Sequence, residues 1–212
     1  EDRRAALAKR HGIEAIESNR DSIAGADLVF LTVKPQALPG VMKQLHGRIE
    51  PRQVAISIVA GATIANLSAG LGHRAIVRVM PNTPAQIGKG MLVWHATEEV
   101  DAAQRERIRL VLGALGEELL VDEETYVDMA TALSGTGPTY VFLMMEALID
   151  AGVHMGFPRR IAEQIERRLA NCLLTRRLRR VPAHAEPRRR RKAALTVASP
   201  TAPKKPETEC WR

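Results

Sequence analysis

The sequence predicts an α/β domain with a parallel sheet covered on both faces, followed by a segment built of helices alone. Three observations carry this. Short, nearly continuous apolar runs recur at Ala26–Val33, Val54–Val59 and Ala75–Met80, and runs of that length and branched content are strands buried on both faces. Patterns of helical length separate them, at Gln36–Leu45 and Thr63–Leu71, and strands alternating with helices make a parallel sheet. After Asp122 the strand-like runs stop and only helical periodicity remains.

Taken in order, Glu1–His11 reads as the end of a helix, with Ala5, Ala6, Leu7 and Ala8 before a Gly12 stop. The first apolar run then ends in Thr32-Val33-Lys34-Pro35, the second in Ala60-Gly61 and the third in Pro81, while Gly72 stops the Thr63–Leu71 helix. Asp101–Leu115 is a longer amphipathic helix, followed by a strand at Glu118–Val121. Beyond Asp122, Glu123–Leu133 and Gly137–Met155 are predicted helices, and Gly156-Phe157-Pro158 breaks the chain and starts a third. Boundaries are expected near Asp122 and near Ile165, where arginine, alanine and proline replace apolar periodicity, dividing the chain into residues 1–122, 123–165 and 166–212.

Charge follows the same division. Residues 166–212 hold 14 Lys+Arg against 4 Asp+Glu, a net of +10, and residues 1–165 hold 17 against 20, a net of −3. The overall +7 is therefore no nucleic-acid signature of the body; the excess sits in the last fifth. Apolar stretches fall far short of the ~20 residues that cross a bilayer. No secretory signal opens the chain, which begins Glu1, Asp2, Arg3, Arg4 without methionine, so preceding residues are expected. Two cysteines, Cys172 and Cys210, form no metal or disulfide framework and fit a reducing cytoplasm.

Ligands of a doubly wound sheet bind beyond the carboxyl ends of its strands, and those ends carry the candidate motifs. Lys34, in Thr32-Val33-Lys34-Pro35-Gln36, could meet a phosphate or ribose; alone, the pentapeptide reads first as a strand cap with a solvated lysine. Ser57–Thr63 has small residues that let a flat ligand approach before a helix start, or that merely serve a tight turn. Val79–Gly90 contains two prolines that predict a rigid, extended loop, in which Asn82 offers a donor and an acceptor to a carboxamide-bearing cofactor. Leu133–Tyr140 reads as a small-residue loop before a helix, suited to an anion or to close helix packing through Gly135 and Gly137.

In this order the features resemble the pyrroline-5-carboxylate reductase family. The residues that carry the resemblance are Val33-Lys34-Pro35-Gln36, Ala60-Gly61, Met80-Pro81-Asn82-Thr83-Pro84, Leu133-Ser134-Gly135-Thr136-Gly137-Pro138 and the run Ala147–Arg159. The resemblance covers roughly residues 1–165. It implies a partial Rossmann-type parallel sheet, an incomplete nicotinamide dinucleotide-binding domain, followed by the start of an all-helical dimerisation domain. It also implies hydride transfer from NADPH or NADH (cofactor NADP or NAD) to the C=N carbon of pyrroline-5-carboxylate, giving L-proline, in a cytoplasmic homo-oligomer without membrane or nucleic-acid partners. By similarity Asn19, Val33, Lys34, Pro35 and Ala60 touch the cofactor, Asn82 sits near its nicotinamide end, and Glu124 lies close to the product's ring. No catalytic acid or base and no metal ligand is singled out. A related imine or hydroxy-acid reductase, or a non-catalytic remnant, are the competing readings.

Two departures from the family pattern set further expectations. No strand and glycine-rich G-x-G-x-x-G turn precedes Glu1, so the isolated chain is expected to bind NADPH poorly. After residue 165 the match ends; Ser199-Pro200-Thr201 echoes a family substrate loop without its glycines. The arginine, alanine and proline of this stretch are what out-of-frame reading of GC-rich DNA produces, and a frameshift near codon 166 is the expectation. A basic nucleic-acid tail is the rival, and it lacks interleaved aromatics. Arg167–Arg180 is expected to be helical, and the chain beyond Val181 disordered.

Overall fold

The computed structural model describes residues 2–178; the expectations for the chain beyond Val181 lie outside the described residues. Two compact units divide at Thr131 and Ala132, and each is described by itself.

The first unit opens with α1 (Asp2–His11), closed by Gly12 in the left-handed conformation. A short α2 (Asn19–Ser22) follows, capped by the Ser18 hydroxyl accepting from the Asp21 N–H. Then come β1 (Leu28–Leu31), a 3-10 turn at Pro35–Ala37 and α3 (Leu38–Leu45). After β2 (Val54–Ser57), α4 (Ile64–Leu71) starts with the Thr63 hydroxyl accepting from the Asn66 N–H and stops at left-handed Gly72, a side-chain cap at one end and a glycine at the other. β3 (Ile76–Met80), β4 (Gly90–Ala96), α5 (Ala102–Gly113), β5 (Gly116–Leu120) and α6 (Thr125–Ala130) complete it. Asp101 and Gln104 close a reciprocal capping box on α5.

The five strands lie side by side in sequence order. β1, β2 and β3 are parallel, in register through Leu31 with Ser57 and Ser57 with Arg78. Alternate residues feed two cores. Val29, Leu31, Ala55 and Ile76 pack with Leu38, Val41 and Leu45 of α3 and Leu67 and Leu71 of α4. Val54, Ile56, Val77 and Val79 pack with Leu92 and Trp94 of β4 and Ile108 and Leu112 of α5. This double burial is why the three runs are continuously apolar.

The sheet is mostly parallel, as expected, and the exception is a strand that the sequence reading did not predict. β4 runs antiparallel to β3, pairing Val77 with Ala96 and Met80 with Val93. The cause is connection length, since residues 81–89 are too few for a parallel crossover, which takes a dozen or more. From β4 the chain returns through α5 and β5 pairs with it in parallel. The Pro81–Gly90 loop is likewise not extended; Thr83–Ile87 winds into a 3-10 turn closed by left-handed Gly88.

After α6, Thr131–Gly135 forms a π-helical turn, and the expected loop before Gly137 is replaced by it. The Thr131 hydroxyl donates to the Val127 carbonyl at 3.1 Å, the back-bonding that loosens a helical ladder, and small residues follow. The second unit is a helical hairpin of α7 (Gly137–His154) and α8 (Arg159–Leu178). It turns at Gly156 and closes where Gly152 meets Ala162. Arg159 ties the turn to Asp150 at 3.1 Å and Glu163 at 3.2 Å. The helical stretches read separately on either side of Ile165 are one element. No helix among the described residues is long and apolar enough to cross a membrane.

Candidate active site at the carboxyl edge of the sheet

Because β1, β2 and β3 are parallel neighbours, their carboxyl ends lie on one edge, and that edge gathers most of the residues read from the sequence. From β1, Val33 is buried in the core, while Lys34 and Pro35 are exposed. Lys34 stands just before the 3-10 turn and makes no side-chain cap bond there. From β2 the chain reaches Ala60, exposed, and Gly61, whose φ of 75° and surrounding open space leave the backbone approachable. From β3 it passes Pro81 to Asn82.

Asn82 is half-buried and its Oδ1 accepts the Met91 N–H at 2.9 Å. The acceptor half of the carboxamide therefore closes its own loop onto β4. The donor half, Nδ2, is the part left to offer a ligand. Asn19 is engaged elsewhere: its Nδ2 donates to Gln44 Oε1 of α3 at 2.9 Å, and it lines a cavity of about 20 Å³ with Ile23, Val29, Leu31 and Val41.

Glu124, just before α6, reaches the edge through the start of α4. Its Oε1 accepts the Ile64 N–H at 2.8 Å, one of the donors a helix start leaves without an internal partner. The same oxygen accepts from Arg78 Nη1 at 2.8 Å. Arg78 is almost fully buried in the middle of β3. Its Nη1 also donates to Asp128 Oδ2 at 3.2 Å, and its Nη2 pairs with Asp128 Oδ1. Burial alone would push the guanidinium pKa down; hydrogen bonds and charge from Asp128 and Glu124 outweigh it and hold the group firmly protonated.

Sequence reading missed Arg78 and Asp128. The signals were an arginine inside the apolar run Ala75–Met80, and the spacing of Glu124 and Asp128, four apart on one helical face.

Small-residue turns gathered at neighbouring strand ends, over a doubly covered sheet, define the class of doubly wound α/β proteins that bind ligands at the carboxyl edge. Comparison narrows the class. Residues 124–192 match the family model described as pyrroline-5-carboxylate reductase dimerisation, and residues 1–61 match one described as NADP oxidoreductase, coenzyme F420-dependent. The chain is 42% identical over 165 residues to the pyrroline-5-carboxylate reductase of Pseudomonas aeruginosa, covering 77% of this chain and 60% of that one. It superposes on the Coxiella burnetii pyrroline-5-carboxylate reductase with a TM-score of 0.75 and 30% identity, over 84% of this chain and 67% of that one. The Plasmodium falciparum enzyme solved with NADP bound gives a TM-score of 0.71 and 27% identity, over 80% of this chain and 64% of that one. The chain belongs to the pyrroline-5-carboxylate reductase family, and it spans 60% of the length of the Pseudomonas relative.

Proposed function

We propose that the protein carrying this chain reduces the C=N bond of pyrroline-5-carboxylate to L-proline, with NADPH or NADH as hydride donor. The observation that carries the reading is the single edge on which Lys34, Ala60 and Asn82 stand at the ends of three parallel neighbours, with Glu124 bonded to the helix that follows the second. The residues fit a nicotinamide cofactor. Gly61 has open space where a side chain would be, Lys34 is exposed, and the Asn82 amide keeps its donor half while its oxygen is taken by Met91. When bound, the cofactor supplies the hydride; everything else falls to the protein.

In this reading Lys34 meets an anionic part of the cofactor, the Val33–Pro35 and Ala60–Gly61 backbones give it a flat approach, and Asn82 orients its carboxamide. Glu124 borders the substrate ring. An imine accepts hydride best when protonated, and two carboxylates beside one guanidinium leave a local negative charge that favours an iminium. Holding the ring against the cofactor then supplies much of the rate. Asn19 is proposed as a cofactor contact on family resemblance. α7 exposes Val141, Phe142, Leu143 and Met144, each more than half accessible; a second copy of the chain is the occupant proposed for them, consistent with the dimerisation match. The reaction is placed in the cytoplasm, on family resemblance and cysteine usage.

The direct test incubates a full-length repaired version, this chain extended by the strand and glycine-rich turn of the family, with pyrroline-5-carboxylate and NADPH, and follows proline formation by mass spectrometry. Proline above the no-enzyme control supports the reading; turnover of a hydroxy acid instead would replace it. A sharper expectation concerns Asn82→Ala in that full-length repaired version. Losing the Met91 bond should cost about 1–2 kcal/mol, while kcat/KM should fall about ten-fold or more, because the amide orients the reactive end. Unchanged kcat/KM in a folded variant removes Asn82 from the site.

A further inference from the structure

Arg78 has no evident reason to be where it is if stability alone is considered. It sits at the centre of a fully buried strand, among Ile76, Val77, Val79 and Met80. Burying a charge there carries a large desolvation penalty, and well-packed apolar residues commonly do as well or better than a buried ion pair. What an arginine supplies and an apolar side chain does not is geometry, because its planar fork holds two carboxylates in fixed directions.

Those directions lead to the site. Nη1 is shared between Glu124 and Asp128 and Nη2 pairs with Asp128, both carboxylates lying on the chain around α6. Glu124 then passes the constraint on by accepting the Ile64 N–H. Ile64 is the first residue of α4, and the segment before it is Ala60-Gly61-Ala62-Thr63, the turn at the end of β2. Arg78 itself lies four residues before Asn82 on β3. A single buried guanidinium thus links two of the strand-end segments that make up the carboxyl edge. The carboxylate of Glu124 also occupies the start of α4, where the helix dipole favours negative charge. The Ala60–Thr63 turn is anchored at its far end by this group, and its middle, Gly61, is free of neighbouring side chains.

We propose that Arg78 is a positioning residue: acting through Glu124, it fixes the Ala60–Ile64 turn relative to the Asn82 strand end. The mechanism needs no contact between Arg78 and any ligand. Its functional consequence rests on the reductase reading above, whereas its structural consequence does not, so the test reads the two separately.

The structural arm measures amide hydrogen exchange on the full chain, for Arg78→Met, Arg78→Lys and Glu124→Gln. Arg78→Met is expected to raise exchange at Ile64 and the preceding turn by about ten-fold or more, while Ile56 and Val77 in the strands keep their protection. Arg78→Lys, a point charge that cannot bridge both carboxylates, should fall between the two. If Arg78→Met loosens the strands as well, Glu124→Gln decides, since it weakens the link to Ile64 and leaves β3 unaltered. Unchanged exchange at Ile64 in a folded Arg78→Met or in Glu124→Gln overturns the proposal. The functional arm measures kcat and KM separately, in the full-length repaired version used for the direct test of function. A misplaced turn should lower kcat about ten-fold or more with KM changed far less, and Arg78→Lys should recover part of it. Arg74→Met, which removes a surface cation paired with Glu99, is the control and should match the parent. Loosened exchange at Ile64 with kcat at the parent value would overturn the positioning role. Absence of any reductase activity in the parent would instead defeat the reading of function and leave the structural link standing.

Discussion

Trp94→Ala is expected to destabilise the first unit by about 3–5 kcal/mol, the range for removing a large buried aromatic side chain. Trp94 is fully buried at the centre of β4, in the cluster with Val77, Val79, Leu92, Ile108 and Leu112. Two losses combine. The cavity left by the indole lies between the sheet and α5, where neither can collapse without breaking strand register. The indole N–H also donates to Glu118 Oε2 on β5, and its removal leaves a half-buried carboxylate whose remaining ion pair among the described residues is with the more distant Arg109 guanidinium at 3.8 Å. Trp94→Phe separates these, keeping most of the packing and losing the donor, and should cost about 1–2 kcal/mol. Urea unfolding followed by far-ultraviolet circular dichroism measures both. An alanine variant within about 1 kcal/mol of the parent would mean that β4 is not a core strand. Against a usual total of about 5–15 kcal/mol, the expected loss is a large share.

β4 is also where sequence reading fell short, and the reason is physical. β1, β2 and β3 announce themselves because both faces of each are buried, so nearly every residue is apolar. The helices between them carry their own stop and start signals, as Thr63 and Gly72 do for α4 and Asp101 with Gln104 for α5. Gly90–Ala96 has an apolar centre too, but it follows a stretch, residues 81–89, with two prolines and Gly88 that reads as loop, and its identity as a strand depends on pairing with β3. The π-helical turn at Thr131–Gly135 was hidden for a related reason: threonine, serine and glycine are loop formers by local preference, and the bond from the Thr131 hydroxyl to the Val127 carbonyl appears in the folded helix alone.

At the site, position was legible and partnership was not. The rule that ligands gather beyond the carboxyl ends of strands brought out Lys34, Ala60 and Asn82, and the parallel order of β1 to β3 puts them on one edge. That the Asn82 carbonyl oxygen closes onto Met91 could not be read, since it requires the antiparallel return of β4. Arg78 meets Glu124 and Asp128 across 46 and 50 residues of sequence. No local pattern encodes such a separation, and only the oddity of a charge in an apolar run marks it.

Gly116→Ala is expected to damage both the fold and the site. Gly116 opens β5 with φ of 150°, and a Cβ there would stand 2.1 Å from the Gly90 carbonyl oxygen and 2.4 Å from its nitrogen. These are backbone atoms of the paired strand, so no rotamer change relieves the clash. The strands must separate where Gly90 pairs with Gly116 and where the Gly90 N–H donates to the Leu115 carbonyl at 2.9 Å. The cost should be about 2–4 kcal/mol, combining overpacking with backbone strain. Gly113→Ala is the internal contrast. That residue ends α5 without positive φ and with open space around it, so alanine should be neutral or stabilise by about 0.5 kcal/mol. For a chain of this size each kcal/mol moves the midpoint by about 2–4 °C, and thermal unfolding of the two variants side by side distinguishes them. A Gly116→Ala midpoint within about 2 °C of the parent would refute the close approach of β4 and β5. The damage should extend beyond stability, because Gly90 precedes Met91, whose N–H holds Asn82. Displacing the start of β4 therefore releases the carboxamide proposed to orient the cofactor, and in the full-length repaired version NADPH affinity should weaken in Gly116→Ala even at temperatures where the variant stays folded.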